Sequence, residues 1–176
     1  KIFVSYTEEM KKDCWNTGVI VGKVNFENIE FEKFFSPNNC NIGLEHENFS
    51  QESVDGEFNA LQSGGKMFSF DDNHILLSTG EYRTRSNAQN EKSINGKILK
   101  ININNSNVEI ISMGHRNPQG LYFDKENNII IETEHGPMGG DEINLIDLDQ
   151  INKDKIFNYG WPIVSAGEHY GGKIER

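Results

Sequence analysis

Short runs of β-branched and aromatic residues recur along the chain, separated by segments rich in Gly, Asn and Asp. This arrangement is typical of short strands joined by turns. No long apolar pattern with a period of 3.6 residues interrupts the series, so we expect little helix and an all-β fold. The runs that predict strands are Ile2–Tyr6, Gly18–Val24, Ile29–Phe35, Lys66–Phe70, His74–Thr79, Gly96–Ile103, Val108–Ser112, Gly120–Phe123, Asn128–Thr133 and Glu142–Ile146.

One of these runs and two polar segments carry further expectations. Apolar and charged residues alternate along Ile29–Phe35, which predicts a half-buried strand. Residues 40–64 and 81–92 are polar and without periodicity, and we expect loops there. The first of them is long, and loops of that length in compact domains are either functional or disordered.

Two segments of the chain resemble each other. Residues 68–81 and residues 121–134 both read as a strand, an acidic turn, an apolar strand and a loop that carries a carboxylate. The offset of about fifty residues falls in the range of β-propeller blades, which repeat every 40–50 residues or so. We interpret the pair as internal repeats rather than as two unrelated hairpins.

The charge and hydrophobicity of the chain exclude some functions. A formal net charge of −10 over 176 residues argues against a nucleic-acid partner, whose phosphates require a basic face. No apolar run approaches the roughly 20 residues of a membrane-spanning helix. The first residues lack the features of a secretory leader and do not begin with Met, which suggests a mature or excised segment.

The chain has two cysteines, Cys14 and Cys40, and neither lies in a Cys-x-x-Cys pair. Zinc ligation is therefore not indicated. The two thiols form either a disulfide, as in an oxidising compartment, or two free buried side chains, because spacing alone does not give their geometry.

Candidate chemistry is concentrated after residue 114. His115, Arg116 and Asn117 precede a predicted strand, and Arg116 offers a planar set of donors for a carboxylate or a quinone oxygen. Alternatively, the side chains of this loop simply form hydrogen bonds with backbone groups. The segment 134–142 reads EHGPMGGDE, an irregular turn whose carbonyl oxygens and nearby acids suit calcium, unless it is simply a turn with solvated acids.

Three segments carry a resemblance to a known family: GHRNPQGLYF from Gly114, EHGPMGGDEINL from Glu134 and NYGWPIVS from Asn158. Their residues, order and spacing resemble those of the soluble glucose and sorbosone dehydrogenases that depend on pyrroloquinoline quinone (PQQ). The resemblance implies a six-bladed β-propeller, of which this chain supplies three to four blades. We therefore expect one partial propeller domain over residues 1–176, with the quinone and calcium motifs in residues 114–170.

The same resemblance implies a site. Arg116 and Asn117 would contact the quinone, and His135 and Asp141 stand at positions beside it. Gly136 and Pro137 would offer their backbone carbonyl oxygens to calcium.

One departure concerns the catalytic base, which is a His in the family, within a segment of the form His-x-x-Gly-Arg. When Gly65 and Lys66 are aligned with the Gly-Arg pair of that segment, Gln62 stands at the position of the His. An amide cannot take up a proton near neutral pH. The family's partner Asp corresponds to Glu81, a longer carboxylate. His46, in the long loop, is an alternative base if that loop folds over the site.

Two functions follow as alternatives. The chain is either part of an enzyme that oxidises a sugar hydroxyl with PQQ and calcium, or a propeller without catalysis that binds a ligand or a protein. In either case we expect the open arc of blades to close into a ring as a homodimer or to be a fragment of a longer chain that carries the remaining blades. The family is largely periplasmic or secreted, and the resemblance implies the same location here.

Overall fold

The structure is a computed structural model that describes residues 1–25, 27–42, 61–150 and 156–168. Within these ranges the chain forms twelve strands in three sheets, with one short α-helix and one 3₁₀ turn. The elements are β1 (Ile2–Lys11), β2 (Cys14–Val24), β3 (Ile29–Phe35), β4 (Asn41–Ile42), β5 (Gly64–Asp71), β6 (His74–Thr79), α1 (Ser86–Gln89), β7 (Lys97–Asn102), β8 (Val108–Met113), β9 (Pro118–Asp124), β10 (Ile129–Glu134), β11 (Glu142–Asp147), the 3₁₀ turn (Leu148–Gln150) and β12 (Phe157–Asn158).

Each predicted strand is present, and the predicted all-β class is confirmed. The bounds of β3 and β6 agree with the sequence pattern, whereas β1 and β2 are longer than predicted. The predicted loop 81–92 contains the four-residue helix α1, which is too short for a periodic signal. Most of the other predicted loop, residues 43–60 with His46, lies outside the described residues.

The first blade consists of β1, β2, β3 and β4. β1 and β3 flank β2 as antiparallel neighbours, and β4 pairs with the beginning of β2. A disulfide joins Cys14 at the start of β2 to Cys40 just before β4, with 5.4 Å between the Cα atoms. This disulfide settles the alternative that the sequence left open.

The second blade consists of β5, β6, β7 and β8 as an antiparallel meander, and β12 pairs in parallel with the outer strand β8. The third blade consists of β9, β10 and β11. β5 lies beside both β1 and β9, so the first strands of the three blades are neighbours. The two similar segments of the sequence form the hairpins β5–β6 and β9–β10, the first hairpins of two successive blades.

The three sheets are held together by two apolar interfaces on opposite faces of the second blade. Leu76 and Ile98 pack against the third blade, while Leu77 and Leu99 pack against the first, and all four are fully buried. Adjacent residues of a strand point to opposite faces, so a strand between two blades is apolar at successive positions. The chain is thus a radial stack of three blades.

The two outer faces of this stack are open. The predicted half-burial of β3 is wrong, since Ile29 is 42% and Phe31 45% exposed and only Phe35 is buried at its end. Ile143 and Leu145 of β11 are likewise 75% and 60% exposed at the other end. No described element covers these side chains, because each lies on the side of its sheet that faces away from the second blade.

None of the described helices has the length and apolar character needed to cross a membrane.

Reduction of the disulfide should destabilise the first blade. Cys14 and Cys40 are separated by 26 positions, and a cross-link over such a loop stabilises by about 2–4 kcal/mol. Urea unfolding with and without dithiothreitol measures this difference. The double Cys→Ser variant is the control, and its unfolding should not respond to the reductant; equal stability of the oxidised and reduced native chain would contradict the prediction.

Candidate cofactor site

The loop 114–117 connects the second blade to the third and carries the predicted arginine. The amide of Gly114 donates to the carbonyl of Ala88 at 3.0 Å, and that of His115 donates to the carbonyl of Gly96 at 3.2 Å. The carbonyl of Arg116 accepts from the amide of Glu81 at 3.1 Å. The backbone of this loop is therefore fixed to the second blade along its whole length.

Glu134, the last residue of β10, holds the same loop from the side of the third blade. Its carboxylate accepts the backbone N–H of Arg116 and, at 3.2 Å, that of Asn117. Its other oxygen lies 3.1 Å from Nδ1 of His115, which is fully buried. A carboxylate that accepts several N–H groups makes strong, charge-assisted hydrogen bonds. Sequence reasoning placed Glu134 in a motif without recognising this role.

The segment after Glu134 bends sharply at Gly136 and Pro137. The amide of Gly136 donates to Oδ1 of Asp141 at 3.1 Å, and the amide of Gly140 donates to the carbonyl of Pro137 at 2.8 Å. A Cβ atom at Gly136 would overlap the carbonyl oxygen of Gly140. Only glycine can therefore occupy position 136 in this bend.

The structure brings Arg116 and the bend together. One guanidinium nitrogen of Arg116 donates to the carbonyls of His135 and Gly136, both at 2.8 Å. The guanidinium also lies 5.4 Å from the ring centroid of the buried Trp161. Two backbone carbonyls of the bend thus face a positive charge.

A cavity of about 530 Å³ opens at this point. His135 and Asp141 lie at its solvent-exposed side, where Nδ1 of His135 is 3.6 Å from a carboxylate oxygen of Asp141. Such an exposed contact between a histidine and a carboxylate contributes little to stability. The cavity is lined by Arg116, His135, Gly136, Pro137, Met138, Gly139 and Asp141.

Asn117 is buried and behaves differently from Arg116. Its side-chain oxygen accepts the backbone N–H of Gly64 at 3.2 Å, and its carbonyl accepts the N–H of His135 at 3.1 Å. Its side-chain oxygen therefore holds the segment that carries Gln62 next to the loop 114–117. The backbone-pairing alternative is therefore observed for this oxygen and also for the guanidinium of Arg116.

The backbone segments that carry Gln62 and Glu81 lie next to each other in space. The carbonyl of Gln62 accepts the N–H of Tyr82 at 3.0 Å, and Gly80 passes so close that a Cβ atom there would overlap this carbonyl. Glu81 is fully buried, and burial raises its pKa to about 8 against the attraction of Arg116, Arg85 and Arg83. The two positions that the resemblance assigns to proton transfer are thus close together. The half-buried one, however, is Gln62, whose side chain is an amide.

The comparison with known proteins decides the family. The family model described as Glucose / Sorbosone dehydrogenase matches residues 1–176. The chain belongs to this family. The superposition on a solved glucose dehydrogenase agrees with this result and confirms the predicted partial β-propeller.

Among curated relatives of this family member, the aldose sugar dehydrogenase YliI of Escherichia coli (strain K12) is 32% identical over 122 residues, 62% of this chain and 31% of the relative. Quinoprotein glucose dehydrogenase B of Acinetobacter calcoaceticus is 39% identical over 82 residues, 40% of this chain and 16% of the relative. A crystal structure of a glucose dehydrogenase superposes with a TM-score of 0.71 at 27% identity, covering 96% of this chain and 46% of that one. The chain therefore spans less than half the length of each.

Replacing Glu81 by Gln should flatten the dependence of stability on pH. The folded-state pKa of about 8 exceeds the unfolded value of about 4.3, so stability is fully present below the lower value and is lost as the pH rises to the higher one. The variant lacks this loss, so between pH 4 and pH 8 it should gain on the order of 5 kcal/mol relative to the native chain.

Urea unfolding at a series of pH values between these two pKa values measures the effect. Glu126→Gln, on an exposed turn, is the matched control and should keep the native slope. Parallel pH profiles for the native chain and Glu81→Gln would contradict a raised pKa of the buried Glu81.

Proposed function

We propose that this chain forms the quinone- and calcium-binding part of a PQQ-dependent sugar dehydrogenase. The observation that supports the proposal most strongly is the meeting of the Arg116 guanidinium with the Gly136 carbonyl at one cavity. In this proposal, residues 1–176 are one partial propeller domain, and its cofactor site lies within residues 114–170. The relative named a quinoprotein supports the same cofactor class.

The residues present fit a calcium ion. Hard cations take carbonyl oxygens, and the carbonyl of Gly136 is directed at the positive charge of Arg116. The carbonyl of Pro137 has a free lone pair beside its bond from Gly140, since a carbonyl oxygen accepts two hydrogen bonds. Calcium would be held by Gly136 and Pro137, and Arg116 would release the Gly136 carbonyl to it.

The same residues fit an anionic quinone. Arg116 presents its guanidinium to the cavity on the ring of Trp161, and a planar fork of donors suits carboxylate groups. The side-chain amide nitrogen of Asn117 remains as a donor, and His135 and Asp141 border the cavity. When bound, PQQ with calcium supplies the acceptor for a hydride from the hydroxyl-bearing carbon of a sugar.

The protein's own contribution to the chemistry is incomplete in this chain. Oxidation of a sugar hydroxyl needs a group that removes the hydroxyl proton, and Gln62 cannot serve as that base. Loss of a positioned base typically lowers the rate by about 10²–10⁴. Glu81 is buried away from solvent, so we assign it an orienting role and not the role of base.

Two further features bear on the whole protein. The apolar residues on the outer faces of the first and third blades suit contact with further blades or with a second copy of the chain, which would close a ring. The disulfide suits an oxidising compartment, in agreement with a periplasmic or secreted location.

A non-catalytic binding propeller is the second candidate, and Gln62 is the observation that favours it. The two candidates share the cofactor pocket but differ in whether restoring a base restores oxidation. The substrate of the first would be a small sugar or another alcohol.

Binding of PQQ should depend on calcium and on Arg116. We expect calorimetric titration with PQQ and calcium to give micromolar affinity for the native chain. Arg116→Gln should weaken it by about tenfold or more, since a charge-assisted hydrogen bond contributes about 1.5–3 kcal/mol. Lys125→Gln, which removes the same charge from an exposed turn, is the control. Calcium-independent binding, or none at high micromolar PQQ, would contradict the cofactor assignment.

Gln62→His should restore a base if the remaining site is intact. With PQQ and calcium, the oxidation of glucose coupled to dye reduction should rise about 10²-fold or more over the native chain. Gln150→His, on the 3₁₀ turn at the opposite end of β11 from Glu142, is the control and should change nothing. No gain in Gln62→His, despite normal PQQ binding, would favour the non-catalytic candidate.

A further inference from the structure

A group of acidic side chains lies inside the third blade, behind the loop that carries Arg116. Glu132 and Glu134 follow Ile130 at every second position of β10, so all three side chains point to the same face of the strand, and all three are buried. That face is turned toward the second blade, where His115 is fully buried. Two carboxylates and an imidazole therefore meet in a place without solvent.

Two of the distances among these groups are close to those between ligands of one metal ion. Nδ1 of His115 lies 3.1 Å from a carboxylate oxygen of Glu134 and 3.6 Å from one of Glu132, and one ligand atom from each residue lies within 4.8 Å of the others. In a tetrahedral site with metal–ligand bonds of about 2.0–2.2 Å, two ligand atoms are roughly 3.3–3.6 Å apart. The three residues need only small shifts to share an ion.

A second observation points to a missing ligand. Oε1 of Glu132 is buried and has no hydrogen-bond partner among the described residues. A buried carboxylate oxygen without a partner is costly, and native structures rarely contain one without a reason such as an ion or a water.

The hydrogen bonds nearby do not neutralise the cluster. The amide nitrogen of Asn144 lies 3.0 Å from Glu132, 3.2 Å from Glu134 and 3.3 Å from Glu142. An amide group has only two hydrogens for these three carboxylates and carries no charge. Asn144 therefore cannot satisfy all three carboxylates at once.

The surroundings of His115 resemble the outer shell of a metal site. Its Nε2 lies 2.8 Å from the hydroxyl of Ser112, and its ring stacks on that of Tyr159 with 5.0 Å between centroids. A metal ion at Nδ1 would replace the proton through which this nitrogen can donate to Glu134, while Nε2–H donates to the Ser112 hydroxyl, as in metal-binding histidines. A cavity of about 510 Å³ opens beside Glu134 and Glu142.

We propose that His115, Glu132 and Glu134 form a site for a divalent transition metal ion, with zinc as the best match. The imidazole nitrogen and the short separations fit zinc, whereas calcium takes six to eight oxygen ligands or so at longer distances. This site is separate from the carbonyl oxygens of Gly136 and Pro137. It goes beyond the proposed dehydrogenase function and does not depend on it.

Calorimetric titration of the chelator-treated chain with zinc chloride, without PQQ or calcium, tests the proposal. We expect one site of micromolar or tighter affinity. Glu132→Gln has nearly the same shape and should weaken binding at least tenfold, whereas the exposed Glu126→Gln should bind as the native chain does. The absence of binding at high micromolar zinc, or undiminished binding by a folded Glu132→Gln, would overturn the proposal.

A second measurement tests the proposal if the Glu132→Gln variant does not fold. Crystals of the native chain soaked in zinc should give an anomalous peak between His115 Nδ1 and the carboxylates of Glu132 and Glu134. Peaks confined to surface groups such as His135 and Asp141 would overturn the proposal. Neither outcome affects the calcium-dependent titration with PQQ, so the two functions fail separately.

Discussion

The carboxylate of Glu134 joins the second and third blades at the point where the candidate site lies. It accepts the backbone N–H groups of Arg116 and Asn117 and faces His115 with its other oxygen. These contacts fix the backbone of the loop 114–117 relative to the end of β10. The position of the Arg116 guanidinium over the bend at Gly136 depends on this connection, because the bend begins two residues after Glu134.

The electrostatics of the region follow from the same arrangement. Backbone carbonyls of the bend face a guanidinium, while carboxylates lie buried behind the loop. Burial raises the pKa of Glu81 on one side of the loop and that of Glu132 on the other. Protein interiors keep such groups where they serve a site, since buried charge is otherwise unfavourable. The two proposed cation positions, one at the carbonyls and one at the carboxylates, would give this distribution a physical reason.

The fold could be predicted from the sequence to the extent that local pattern determines it. Alternation and turn residues gave the strand positions, and the bounds of β3 and β6 agree with the structure. The two-residue strands β4 and β12 could not be found, because their pairing partners are distant in sequence. The exposure of Phe31 could not be found either, since alternation shows which side chains share a face and not whether another sheet covers it.

The candidate site was predictable in part. The motifs around Arg116 and Gly136 were recognisable, and the structure brings these two residues to one cavity. The buried position of Glu132 was missed because a glutamate in a strand is usually exposed. A signal was present, since Glu132 and Glu134 share the register of Ile130, a core residue of the same strand. The contact between His115 and β10 depends on how two blades pack and has no local signal.

In the proposed site, Arg116 and calcium compete for the Gly136 carbonyl. Nitrogen-15 NMR of the arginine side chains during a calcium titration, in the presence of PQQ, observes this competition directly. We expect the guanidinium resonances of Arg116 to shift with calcium as its hydrogen bond to Gly136 is replaced, while those of Arg83 shift less. Arg116 resonances that stay unchanged at saturating calcium would contradict a shared cation site.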